Sequence, residues 1–230
     1  VAVGVSVDGG SVAGAAVSGI CVGSTVSSGT GVAISVTSAG VVGPDVTIGR
    51  GTVVGGMALI EKDTVVGEDC VLGHYAVVGT DPQDLKYHGE TTHLVIGDRT
   101  TIREFATVNR ATLGKTDEPT RVGSDTLIMA YAHVAHDCAL GDGVELANAV
   151  QLAGHVTVGD GAVLGGMAAA HQFVRVGRLS FVGAGAMGCL FGALMAEAGT
   201  DVWLHDIRAE LVHTIRKDGL SVEYEGQTRT

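Results

Sequence analysis

The first 49 residues contain neither lysine nor arginine, and the whole 230-residue chain has only 3 prolines and 4% aromatic residues. So few large rings exclude an ordinary layered core, which needs bulky side chains to fill it. The four cysteines (Cys21, Cys70, Cys138, Cys189) form no CxxC pair, so the spacing indicates neither a zinc ribbon nor a disulfide framework. No apolar run reaches membrane-spanning length, and no basic segment precedes a signal-like apolar stretch. No membrane span and a cytoplasmic setting are therefore expected. A formal charge of −11 argues against nucleic acid as a partner. Positive charge is instead local: Lys86, Arg99, Arg103, Arg110, Lys115 and Arg121 fall in one stretch, as a nucleotide or acidic-carrier site or a solvated face would have.

What the chain does have is glycine, 36 residues of it, within a composition that is 46% hydrophobic. Both belong to a repeat. One aliphatic residue recurs every six positions through Ile48, Val54, Ile60, Val66, Leu72 and Val78, resumes at Ile96, Ile102 and Val108, and resumes again from Val122 to Val182. Two positions earlier stands a small or β-branched residue such as Thr52, Ala58, Cys70 or Ala132. Residues i and i−2 of a strand share a face, so both are expected to point inward. Glycine commonly follows the aliphatic residue, as at Gly49, Gly67, Gly123 and Gly141, and is expected to supply a turn with φ > 0. Three short strands then close a triangular coil of eighteen residues. The fold class is β: a left-handed parallel β-helix of hexapeptide repeats, with a small α/β fragment after it.

Two segments, roughly 80–95 and 110–121, leave the six-residue phase and read as loops projecting from the coil. Residues 1–40 lack consistent register and read as degenerate or poorly ordered coils. The expected division is 1–40, a β-helix over 41–182, and a truncated Rossmann-like fragment over 183–230.

In the first loop stand Gln83-Asp84-Leu85-Lys86-Tyr87, and in later coils Ala132-His133-Val134-Ala135-His136-Asp137-Cys138, Leu152-Ala153-Gly154-His155 and Ala170-His171-Gln172-Phe173. With these segments, residues from about 40 to 187 resemble the UDP-N-acetylglucosamine O-acyltransferases, hexapeptide-repeat enzymes of lipid A synthesis. The resemblance implies transfer of a 3-hydroxyacyl group from acyl carrier protein to UDP-N-acetylglucosamine, directly and without a cofactor, by a homotrimer. It implies that His136 is the general base, that Asp137 orients its ring, and that the Gly154 N–H holds the oxyanion. Gln83, Asp84, Lys86, His133, His155, His171 and Gln172 are implied to contact substrate.

The repeat places these residues together independently. Position n lies beside n+18 at about 4.8 Å, so His136, Gly154 and Gln172 form one column and Asp137, His155 and Phe173 another. His136 falls at a corner and is expected to face outward. Cys138, at an i−2 position, is expected to be core. The histidines His133, His136, His155 and His171 could instead hold zinc, as in the γ-class carbonic anhydrases on this fold, although the HxxxxH spacing of that family is replaced here by His133-x-x-His136.

The chain departs from the acyltransferase pattern in its N-terminal coils, in Asn109-Arg110 where some relatives have His-Arg, and after Met187, where the family's helical C-terminal domain does not follow. Residues 181–230 instead resemble the start of ketopantoate reductase. Gly183, Gly185 and Gly188 form a GxGxxG dinucleotide fingerprint, and Asp206 stands where an acid would meet a ribose hydroxyl. This segment has no substrate domain, so NADP binding is expected to be weak or absent and the segment to act as a helical cap over 186–198. The two resemblances meet at one Val-Gly-Ala-Gly-Ala-Met string, as in an artificial or misassembled chimera. An inactive chimera is thus the alternative to an acyltransferase.

Overall fold

The computed structural model describes strands at 21–22, 26–27 and 35–36, residues 40–114 and 118–183, and beyond them 204–205, 209–218, 222–224 and 227–229. Short strands of mostly two or three residues alternate with turns and stack into three parallel sheets of 8, 8 and 9 strands, each made from every third strand in sequence apart from Leu204–His205, which adds to the end of the third. That order is a three-faced parallel β-helix. Its register is eighteen residues: His133 pairs with Gln151 and then Ala169, Arg121 with Ala139, and Glu145 with Val163.

Burial follows the sequence phase. Ile48, Ile60, Leu72, Ile96, Ile128, Leu146, Leu152 and Leu164 are at most 2% exposed, as are the residues two positions before several of them, including Ala58, Cys70, Val150 and Ala162. Each buried Leu or Ile stabilises the coil by about 1.5–3 kcal/mol. The threonines in the same inward row are not left with unpaired hydroxyls, since Thr52 Oγ1 donates to the Gly67 carbonyl and Thr100 Oγ1 to the Gly123 carbonyl, both at 2.8 Å.

Gly79 and Gly183, each directly after a valine, take the positive φ expected of them, at 80° and 110°, but most glycines in that position have a different purpose. The left-handed backbone conformation falls three residues after the aliphatic position, on Met57, Asp63, Tyr75, Phe105, Tyr131, Asp137, His155 and Phe173 among others. Glycine directly after the aliphatic residue serves close approach: a Cβ on Gly123 would lie 2.3 Å from the Gly141 carbonyl oxygen. The coils simply stack too tightly there for a side chain.

Upstream, the strands Cys21–Val22, Val26–Ser27 and Ser35–Val36 pair in parallel with the next coil. Val22 aligns with Val42 but Val36 with Val54, so this coil is two residues longer on part of its path. A constant six-residue count loses it for that reason.

At the other end, Phe181–Val182 pairs with Val163–Leu164 on one side and with Leu204–His205, also parallel, on the other. The third sheet therefore runs from the coil into the C-terminal segment through a strand shared by both. An α-helix, Ala209–Asp218, and a two-stranded antiparallel ribbon of Val222–Tyr224 and Gln227–Arg229 follow. Gly183 is described, with φ of 110°. Gly185, Gly188, Asp206 and the helix expected at 186–198 lie outside the described residues.

Candidate active site

Both out-of-phase segments lie at one corner of the β-helix, between the first and second faces. Val78 pairs with Val108 thirty residues on, and Val108 with Val134 twenty-six on, against the usual eighteen. The next coil turns the same corner at 135–138, between His133–Val134 and Ala139–Leu140. The second insertion therefore sits directly beside His136 in the stack, and the first one coil further away.

The first loop is rooted by a buried cation. Arg110, 1% exposed, donates to the Gly79 carbonyl and to Asp81 Oδ1, and its guanidinium lies 3.2 Å from the Tyr87 hydroxyl. Asn109 Nδ2 adds bonds to Thr80 Oγ1 at 2.7 Å and to the Asp81 carbonyl at 3.1 Å. The second loop is pinched shut at its base, where the N–H groups of Ala111 and Thr120 both donate to the His93 carbonyl.

These loops overturn one expectation. His136 points away from the aliphatic interior, as its corner position requires, yet it is only 4% exposed. The second loop does not simply project into solvent. It folds back, and Thr112 donates through its N–H to Asp137 Oδ1 at 3.0 Å and through its hydroxyl to Oδ2 at 2.6 Å. Asp137 N–H in turn donates to Thr120 Oγ1 at 2.8 Å.

The His136 ring places Nδ1 at 2.7 Å from Asp137 Oδ2. A carboxylate can only accept at that distance, so Nδ1 carries the proton and Nε2 is left as the basic nitrogen. The ring packs so closely on the next coil that a Cβ at position 154 would lie 2.4 Å from His136 Cε1. Only glycine fits there. The Gly154 N–H, moreover, has no acceptor among the described residues. His155 meets the His136 ring edge-on, with centroids 5.3 Å apart, and stacks flat on Phe173 at 4.6 Å.

Burial pushes the Asp137 carboxyl up, but hydrogen bonds from His136 and from the Thr112 hydroxyl and N–H, with the nearby His155, hold it below its ordinary value. His133 lies below its ordinary value through burial first and the charge of His136 second, and its Nδ1 is 2.7 Å from Thr107 Oγ1. Cys138 is fully buried and its thiol is pushed up to about 11, chiefly by burial, which suits core packing rather than a nucleophile.

A groove of about 540 Å³ opens beside this couple, lined by Gln83, His133, His136, Gly154, His171 and Gln172 over an apolar floor of Ala135, Leu152, Ala153, Ala169 and Ala170. The structure thus brings together six of the ten residues the sequence singled out around His136. Asp137 and His155 stand behind His136, outside the groove's lining. Asp84 and Lys86 are not on the groove: Asp84 Oδ1 accepts the Lys86 N–H at 3.0 Å and so shapes its own loop. Gln83 also borders a second cavity of about 400 Å³ with Glu61, Lys62, Thr80, Asp81 and Asn109. The stack of His155 on Phe173 follows the eighteen-residue count, whereas Thr107, Thr112 and Thr120 were not legible as site residues, since the loops break the count that would align them with His133 and Asp137.

The zinc alternative finds two of its four histidines together. One donor atom each from His136, Asp137 and His155 lies within 4.8 Å of the others. Asp137, however, already accepts from Thr112 twice and from His136, and His133 is turned to Thr107. Of the four histidines in that expectation, only His136 and His155 fall in the cluster, with Asp137 as its third member; His133 and His171 lie outside it.

Because Asp137 titrates below its unfolded value, its contribution to stability is fully present above about pH 4 and is lost as pH falls through the folded value. The difference in melting temperature between the native chain and Asp137→Asn should therefore narrow from about pH 5 to about pH 3. An unchanged difference would mean that Asp137 is not held ionised by its neighbours.

Fold and site define a left-handed parallel β-helix of hexapeptide repeats, and residues 119–154 match the family model described as bacterial transferase hexapeptide (six repeats). The individual relatives are UDP-N-acetylglucosamine acyltransferases. The chain is 59% identical over 105 residues to an acyl-[acyl-carrier-protein]–UDP-N-acetylglucosamine O-acyltransferase of Anaeromyxobacter sp. (strain K), covering 46% of this chain and 40% of that protein. It is 45% identical over 144 residues to the protein of the same name from Burkholderia mallei, covering 62% and 53%. The solved UDP-N-acetylglucosamine acyltransferase from Campylobacter jejuni superposes with a TM-score of 0.63 at 42% identity, over 67% of this chain and 60% of that one. The chain spans about half the length of the curated relatives it matches. Residues 179–230 match a different family model, ketopantoate reductase PanE/ApbA.

Proposed function

We propose that the chain transfers a 3-hydroxyacyl group from acyl carrier protein to the 3-hydroxyl of UDP-N-acetylglucosamine. The observation that carries this reading is the His136–Asp137 couple set beside the unpaired Gly154 N–H, at the edge of a groove with an apolar floor. In the reaction, Nε2 of His136 takes the sugar hydroxyl proton as that oxygen bonds to the thioester carbonyl carbon. The oxyanion of the tetrahedral intermediate is held by the Gly154 N–H. The C–S bond then breaks, and His136 returns its proton to the leaving thiolate, so no acyl-enzyme forms and no cofactor enters. His133, kept neutral by burial, His171 and Gln172 line the groove as substrate contacts, with Gln83 at its rim.

The groove's open side, where His171 and Gln172 are exposed, supports assembly as a homotrimer in which a neighbouring coil walls the site. No described helix is long and apolar enough to cross a membrane, and the substrates proposed are those of the cytoplasm. The test is thiol release from acyl carrier protein thioester, with and without UDP-N-acetylglucosamine, alongside light scattering of the same sample. Sugar-dependent release by a particle of three chains is expected. Release no faster than the sugar-free control would sink the transferase reading, and a monomer the trimer.

A further inference from the structure

The second loop reaches the carboxylate beside His136. Asp137 has two histidine neighbours competing for one oxygen: Oδ2 is 2.7 Å from His136 Nδ1 and 3.6 Å from His155 Nε2. A carboxylate free to rotate about its terminal bond could serve either ring. Thr112 removes that freedom, because its N–H holds Oδ1 at 3.0 Å while its hydroxyl holds Oδ2 at 2.6 Å. Two donors three bonds apart grip both oxygens and fix the carboxylate plane. The loop that carries Thr112 is itself closed at the base on the His93 carbonyl, and its returning end supplies Thr120 Oγ1 to the Asp137 N–H. Asp137 is therefore clasped by both ends of one insertion.

We propose that Thr112 is a positioning residue for acyl transfer: it fixes Asp137 so that the carboxylate holds His136, rather than His155, in the Nδ1–H tautomer. This rests on the reading of His136 as the base. Of the described residues, the titratable groups facing Asp137 are His136 on its own turn, His155 from the next coil, and Cys138 buried beneath it. Thr112 touches none of the groove's lining residues among the contacts described, so it should act on turnover and not on substrate affinity.

The variants are Thr112→Val, which keeps shape and backbone donor but loses the hydroxyl, and Thr112→Ser, which restores it. Thr112→Val should lower kcat about tenfold or more with KM for UDP-N-acetylglucosamine little changed. The acid limb of the pH–rate profile should move upward, since Asp137 loses a donor that favours its ionised form. Thr112→Ser should recover both. A second readout does not depend on activity: imidazole ¹⁵N spectra of the native chain should show His136 protonated on Nδ1, and Thr112→Val should show the two tautomers mixing. If the native chain transfers no acyl group, the transferase reading fails while the spectra still decide the role of Thr112. Thr112→Val with native kcat, pH profile and ¹⁵N shifts, or Thr112→Ser as impaired as Thr112→Val, would overturn the proposal. Should Thr112→Val not fold, Thr112→Ala carries the same comparison.

Discussion

Replacing His136 by alanine is expected to lower kcat/KM for acyl transfer by about 10²–10⁴, the span a positioned general base contributes. Three features of the site set that expectation. The ring is fixed on three sides: Asp137 holds Nδ1 at 2.7 Å, Gly154 backs the ring at a distance no side chain could share, and His155 abuts it edge-on. Nε2 is the free basic nitrogen, at the edge of the groove where a hydroxyl would enter. The remaining rate should not fall to the uncatalysed level, because the Gly154 N–H and the groove are intact in the variant. Steady-state thiol release with saturating UDP-N-acetylglucosamine measures the effect. A variant within threefold or so of the native rate, against the hundredfold a base supplies, would remove His136 from the chemistry.

The largest effect on stability should come from Arg110→Met. The guanidinium is buried, and it ties the Gly79 carbonyl, Asp81 and Tyr87 at the root of the first loop. Methionine fills much of its volume but leaves the carbonyl of Gly79 without its donor and the Tyr87 hydroxyl with its bonds to Asp81 and Glu90 only. Losing a charged donor to a buried acceptor costs about 1.5–3 kcal/mol per bond. Part of that is offset because Arg110 is imperfectly satisfied: its Nε has no hydrogen-bond partner among the described residues. A net loss of about 2–4 kcal/mol is expected, read as a lower melting temperature, with earlier proteolytic cleavage inside 80–93. Gln83 rides on that loop, so KM for the sugar nucleotide should rise while His136 stays in place. Unfolding indistinguishable from the native chain would show that the loop is held by Asn109 and its own turns.

The sequence by itself determined the β-helix and much of its site. A side-chain period of six along strands of fixed rise dictates which residues enter the core, and Ile60, Leu72, Ile128 and Leu152 enter it as the phase requires. Because one coil is eighteen residues, the count also stacked His136 on Gly154 and Asp137 on His155 without any further information. It erred where position was read as purpose. Except at Gly79 and Gly183, which do take positive φ, the glycine after an aliphatic residue is demanded by the backbone of the next coil, a contact between chain segments eighteen or more residues apart, and not by its own dihedral angle.

The tertiary structure alone decided what the two insertions do. Their internal paths obey no period, so nothing in the spacing of Thr112 or Arg110 reveals that one reaches Asp137 and the other closes the loop beneath Gln83. It also decided that the strand Phe181–Val182 serves the coil on one edge and Leu204–His205 on the other. Periodicity reports on segments that repeat a local geometry. Contacts made once, by loops folding back on a corner, depend on where the rest of the chain has already placed their partners.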